Sequence, residues 1–180
     1  MLPAVAFPII TAKKQPGAVM STSNPLDKLA AALATLGPVG HFPKAPGTWG
    51  SLAAVVAAPW LFLTLSLPLR AAALALVFFV GTWACGRAEI VMGKKDPGCV
   101  VVDELFGQWL TLLFFAAMPI WYLPAAFVLF RIFDILKPWP VKWAENAFPG
   151  GYGVMLDDGV AGLYAMGCLH LLAYFVSMIG

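Results

Sequence analysis

The chain has 180 residues, of which 61% are hydrophobic and only 11% charged, and its mean hydropathy is +0.85. A soluble domain of this length needs a charged surface that 11 basic and 9 acidic residues do not supply, so composition points to a small, single-domain membrane protein. A net charge of +2 gives no electrostatic footprint for nucleic acid. The 3 cysteines, Cys85, Cys99 and Cys168, are odd in number and widely spaced, which argues against a disulfide framework or a zinc knuckle.

Residues 1–24 read as an N-terminal tail. The apolar start Met1–Ile10 is followed, not preceded, by Lys13 and Lys14, the reverse of a signal peptide, and Pro, Gly, Ser and Thr dominate 15–25. Residues 25–180 then read as a single helical domain. A short helix is predicted after Asn24, an N-cap, with Pro25 at its first position. Leu26, Leu29, Leu33 and Leu36 recur at near-helical spacing, which places this helix at the membrane interface, and Gly37-Pro38 ends it.

Five long apolar segments follow: Leu52–Leu69, Ala71–Gly86 continuing through Arg87 toward Met92, Leu105–Leu123, about Leu123–Leu136, and Gly159–Gly180. About 20 residues of helix cross a hydrocarbon core. The predicted fold class is therefore all-α, a small polytopic protein of about five membrane-associated helices, the fourth short and carrying Arg131 and Asp134. The short alternating segments of a membrane β-barrel are absent. With the N-terminus inside, every basic residue except Arg70 falls on the inner side, as the positive-inside rule expects. All 9 acidic residues fall there too, which that rule does not require. Trp121 and Tyr122 sit at an outer turn, as interface anchors do.

Four segments on this inner side carry chemistry. His41–Ser51 is glycine-rich and precedes the first apolar segment; Ser51 is a natural N-cap for a helix starting at Leu52. Backbone N–H groups, Lys44 and Thr48 there suit a phosphate, although the segment lacks the Gly-Lys-Ser/Thr ending of a Walker A loop. Lys94–Gly107 sets Asp103 and Glu104 side by side at a helix mouth, with Asp96-Pro97 in the turn before them. Carboxylates are stabilised at a helix N-terminus and their hard oxygens suit Mg²⁺. Arg131, Asp134 and Lys137 recur at i, i+3, i+6, so one helical face presents plus, minus, plus. Either this is a site in which the cations meet a phosphate and Asp134 a metal, or it is an internal salt bridge. Finally, a glycine loop delivers Asp157 and Asp158 to the start of the last segment. Two carboxylate pairs on one side can enclose one or two divalent cations. From the residues alone, a membrane phosphatase competes with a small ion transporter and with a purely structural protein. The gathering of charge at one face, not near the midplane, favours the enzyme.

Pro43–Ser51, Asp96-Pro97 with Val101–Gly107, Phe130–Pro138, and Gly151–Asp158 with Ala161-Gly162 stand in an order that resembles the phosphatidylglycerophosphatase A family, bacterial inner-membrane enzymes of phospholipid synthesis. The resemblance runs from about Leu33 to Met178 and leaves residues 1–24 as an extension. It implies Mg²⁺-dependent hydrolysis of the phosphate monoester of phosphatidylglycerophosphate, giving phosphatidylglycerol and phosphate, at a site facing the cytosol. It also implies Asp103, Glu104, Asp134, Asp157 and Asp158 as catalytic acids, which together with Asp96 are the metal ligands. Lys44, Thr48, Arg131 and Lys137 are implied to bind phosphate. The partners implied are the lipid substrate and the bilayer, with no nucleic acid and no obligate protein partner. The attacking group is either water or an aspartate that becomes an aspartyl-phosphate.

Overall fold

The computed structural model describes residues 24–115 and 119–179; the predicted tail lies almost wholly outside these residues. Among the described residues all regular structure is helical. The elements are α1 (Pro25–Ala34), a short 3-10 turn (Val39–His41), α2 (Pro46–Leu61), α3 (Leu67–Met92), α4 (Val102–Thr111), α5 (Tyr122–Leu136), α6 (Val141–Ala147) and α7 (Gly151–Ile179).

Local chemistry explains most of the boundaries. Asn24 caps α1 by accepting from the Leu26 N–H at 3.0 Å, and Pro25 opens the helix. On α1, Ala30 and Ala34 pack inward while Leu26 and Leu29 stay exposed, an apolar outer stripe. The predicted second segment is borne out as α3, which runs through Arg87 to Met92 and ends at Gly93 in the left-handed region. The Arg87 guanidinium pairs with Asp27 and ties α3 to α1.

Two predicted boundaries are corrected. The first apolar segment does not begin at Leu52. α2 starts at Pro46 and ends at Leu61, so Ser51 lies inside the helix, where its Oγ donates to the Gly47 carbonyl at 2.9 Å. Leu105–Leu123 is not one helix, because α4 stops at Thr111 and turns follow at 112–115. Arg70 supplies the physical reason for both endings. Sequence placed it as a lone outer charge, yet it is 4% exposed. Its Nη2 donates to the Leu63 carbonyl at 2.6 Å, its Nε to Leu65 at 3.0 Å, and its Nη1 to Leu113 at 3.2 Å and to Phe115. Carbonyls released where α2 and α4 end would be orphaned in an apolar setting; one guanidinium satisfies both sets.

Two helices, α3 and α7, are long and apolar enough to cross a membrane; α2, α4 and α5 are shorter. Large side chains such as Trp60, Leu76, Phe79, Ile135 and Leu171 are exposed on the outside of the bundle, a surface suited to lipid and not to water. The helices alternate in direction. The N-termini of α2, α4 and α7 and the C-termini of α3 and α5 therefore share one face, opposite Arg70. Close approach at that face depends on missing side chains: a Cβ at Gly151 would lie 2.0 Å from the Thr82 carbonyl, and one at Gly162 would lie 2.5 Å from the Gly107 carbonyl.

Candidate active site

The shared helix ends enclose a cavity of about 140 Å³. All six acids expected from sequence line it: Asp96, Asp103, Glu104, Asp134, Asp157 and Asp158, together with Lys95, Lys137 and Glu145. Asp96 sits in the loop between α3 and α4 with φ +44, its N–H donating to Glu89 Oε1 at 2.9 Å. Asp103 and Glu104 occupy the first turn of α4, where the helix dipole favours anions. That turn is fixed from behind by the Val101 N–H, which donates to the Ala34 carbonyl of α1 at 2.8 Å. Asp157 and Asp158 are buried near the start of α7.

The acids divide by their partners. Asp134 pairs with Arg131 Nη1. Asp157 accepts from Lys137 Nζ at 2.6 Å, and Glu145 of α6 accepts from the same ammonium at 3.0 Å. Burial alone would lower Lys137; its two carboxylate partners outweigh that and hold it above the usual lysine range. Asp103 and Asp158 have no such cation in contact, and Glu104 has only Arg131 Nη1 at 4.0 Å from its Oε1. Asp103 Oδ1, Glu104 Oε2 and Asp158 Oδ2 are buried without any hydrogen-bond partner, and the three side chains offer ligand atoms within 4.8 Å of one another. At the mouth of α4, desolvation pushes the Asp103 and Glu104 carboxyls up. Three buried carboxyl groups this close, each with one unpartnered oxygen, resist ionisation, and burying their charges costs several kcal/mol each unless a cation neutralises them. The Asp103–Glu104–Asp158 cluster can therefore hold a divalent metal ion.

Arg131 stands at the edge of this cluster. Its Nη1 also reaches Ser51 Oγ at 3.3 Å and lies 4.0 Å from Glu104 Oε1. Its Nε is buried and unpartnered. Gly47 makes room for the arrangement, since a Cβ there would meet Glu104 Oε1 at 2.2 Å. The predicted plus, minus, plus face is only partly present. Arg131 and Asp134 meet across one turn of α5, but Lys137 lies past the helix end. There it adopts φ +43, donates its N–H to the Phe133 carbonyl at 2.9 Å and swings across to α6 and α7. Lys44 is exposed, and of the four expected phosphate-binding residues only Lys137 lines the cavity; Lys44, Thr48 and Arg131 do not. Sequence reasoning missed Glu145, which stands outside any motif-like segment. It also missed the contact of Ser51 with Arg131, which no spacing within either segment discloses.

The family profile described as phosphatidylglycerophosphatase A matches residues 32–173. The chain is 36% identical over 157 residues to phosphatidylglycerophosphatase A of Escherichia coli (strain K12), covering 86% of this chain and 87% of that protein. It is 33% identical over 166 residues to phosphatidylglycerophosphatase A of Haemophilus influenzae, covering 87% and 99% respectively. A protein of Bacteroides thetaiotaomicron named as a putative phosphatidylinositol-3-phosphatase is 47% identical over 137 residues, covering 70% of this chain and 82% of that one. No solved structure matches. A profile match across the four motif segments, joined to relatives aligned over nearly their full length, establishes that the chain belongs to the phosphatidylglycerophosphatase A family.

Proposed function

We propose that the protein hydrolyses the phosphate monoester of phosphatidylglycerophosphate, yielding phosphatidylglycerol and phosphate, with Mg²⁺ held by Asp103, Glu104 and Asp158. The observation that carries this reading is the cluster of three buried carboxyl groups, each with an unpartnered oxygen, at one mouth of an apolar helical bundle. Three hard oxygens with room for water match the coordination habits of Mg²⁺. When bound, the ion supplies charge neutralisation at phosphoryl oxygens and Lewis acidity. The remaining work belongs to side chains. Arg131, with its free Nε donor, and Lys137 hold phosphoryl oxygens and stabilise the charge that develops on them. Asp134 and Asp157 orient those two cations and complete the acidic set, with Asp96 at the rim. A phosphate head enters a cavity of about 140 Å³, which is too small for acyl chains; these stay in the leaflet.

In this reading the site faces the cytosol, and about five helices (α2, α3, the α4 region, α5 and α7) are membrane-associated, forming one domain from residue 25 onward. Support comes from the basic residues, all but Arg70 of which lie in segments at the cavity end of the bundle or in the tail. Cysteine-accessibility labelling at positions 95 and 150 in sealed cells tests the orientation; labelling of both from the periplasm would reverse it.

The activity is tested with the purified full chain in detergent, measuring phosphate release from phosphatidylglycerophosphate with Mg²⁺ and with excess EDTA. Because one relative is named for a phosphoinositide, phosphatidylinositol 3-phosphate is the second substrate. Phosphate release from phosphatidylglycerophosphate that vanishes in EDTA is expected. No release from that lipid at any Mg²⁺ concentration would overturn the reading.

A further inference from the structure

Beside the acidic mouth lies an apolar groove of about 280 Å³ between α2 and α5, lined by Leu52, Val55 and Val56 on one wall and Ile120, Leu123 and Phe127 on the other. Its position relative to the charged site is fixed by helix geometry. Val55 is four residues after Ser51, and Phe127 is four residues before Arg131, so both lie one turn below the hydrogen bond that joins Ser51 Oγ to Arg131 Nη1 at 3.3 Å. The groove thus continues the Ser51–Arg131 edge of the site away from the cavity face, along the same two helix faces. Its lining is wholly apolar, and Arg131 stands one helical turn beyond its Phe127 wall.

A second apolar groove, lined by residues such as Leu36, Val77, Val80 and Leu105, runs between α1, α3 and α4. Both grooves are lined by apolar residues alone, but no Lys or Arg stands one helical turn from any lining residue of the second, as Arg131 stands from Phe127 in the first.

We infer that the α2–α5 groove seats an acyl chain of the phospholipid substrate whose head group is held at Arg131. This rests on the lipid phosphatase reading above. The matching pattern is that of the ligand itself: a phosphate head joined to a hydrocarbon tail, set against a guanidinium with an unpartnered Nε one helical turn from the end of an apolar slot. Lipid tails already surround the bundle, so the slot contributes shape and orientation more than hydrophobic transfer. It fixes the direction from which the head group enters and holds the monoester over the acid cluster.

The test compares three substrates in detergent with Mg²⁺: long-chain phosphatidylglycerophosphate, its dihexanoyl form, and the deacylated head group glycerophosphoglycerophosphate. Val56→Trp, at an exposed rim position, fills the slot; Phe127→Ala widens it; Val80→Trp loads the other groove as a control. For Val56→Trp, kcat/KM on the long-chain lipid should fall about five-fold relative to the deacylated head group, the loss of oriented packing alone. Phe127→Ala should shift the preference among chain lengths in its own way, and Val80→Trp should leave the wild-type profile. Wild-type ratios among the three substrates in folded Val56→Trp and Phe127→Ala would overturn the groove assignment while leaving the phosphatase reading intact. Absence of wild-type turnover on phosphatidylglycerophosphate would overturn both. An equal shift from Val80→Trp would also overturn the assignment, because bulk lipid contact would then explain the effect.

Discussion

Gly162→Ala provides a geometric test of the site. Gly162 lies four residues after Asp158 on α7, and Gly107 three residues after Glu104 on α4, so the two glycines cross directly beneath the acid cluster. A Cβ at 162 would stand 2.5 Å from the Gly107 carbonyl oxygen and 3.1 Å from its Cα, against the 3.4 Å at which ordinary contact begins. These are backbone atoms within a helix, so no side chain can swing away; α4 and α7 must part by about 0.9 Å, the gap between those two figures. The parting also strains the Thr111 hydroxyl, which donates to Gly107 at 2.9 Å and to Gly162 at 3.3 Å. Overpacking of this kind costs about 1–3 kcal/mol, partly offset by the roughly 1 kcal/mol that Ala gains over Gly in a helix. Stability should therefore fall modestly. Function should fall far more, because Asp158 is carried away from Asp103 and Glu104 in a cluster whose ligand atoms now lie within 4.8 Å. A displacement near 1 Å at a reacting centre can cost about 100-fold in rate. The assay is kcat/KM across a Mg²⁺ titration, with thermal unfolding in detergent as the fold check and Gly167→Ala as the control. A Cβ at Gly167 meets nothing within 4 Å, so that variant should be active and as stable as wild type or slightly more so. Folded Gly162→Ala with wild-type kcat/KM and Mg²⁺ requirement would refute the claim that the α4–α7 approach builds the site.

Asp103→Asn should reduce turnover at least about 100-fold, the scale of losing a metal ligand, yet in EDTA it should flatten the fall of the thermal midpoint as pH rises, because wild type must then ionise a buried carboxyl whose folded-state range is raised; a midpoint in EDTA that falls with alkaline pH as steeply as wild type would count against an electrostatically strained cluster. Arg131→Lys should lower kcat/KM about 10-fold or more with little change in Mg²⁺ affinity, since an ammonium cannot reproduce the guanidinium fork; wild-type kinetics per folded molecule would remove Arg131 from phosphate binding. Arg70→Met should lower stability by about 3 kcal/mol or more, because it strips the partner from four carbonyls, while the residual folded enzyme keeps wild-type kcat. Cys99→Ser should change neither, and a loss of catalysis with the fold intact would implicate the thiol.

Sequence by itself determined the chemistry and its neighbourhood. Hydropathy over long segments demanded a helical membrane protein, and Asn24-Pro25 set the start of α1 through capping that depends only on adjacent residues. The six acids could be placed on one side because short apolar helices alternate in direction, whatever their packing. Tertiary structure decided which acids lie together. Asp157 and Asp158 are neighbours in the chain with opposite fates: Lys137 reaches one, while the other turns toward Asp103 and Glu104 across an approach that two glycines permit. Nothing local distinguishes them, since partner choice depends on which helix each side chain faces. Lys137 likewise reads as part of the α5 face until the helix ends at it in a left-handed conformation. Arg70 reads as a surface charge until the broken ends of α2 and α4 close around it. In each case the deciding partner is a side chain or carbonyl distant in sequence, brought into reach only when helices pack, and pattern within one segment carries no record of it.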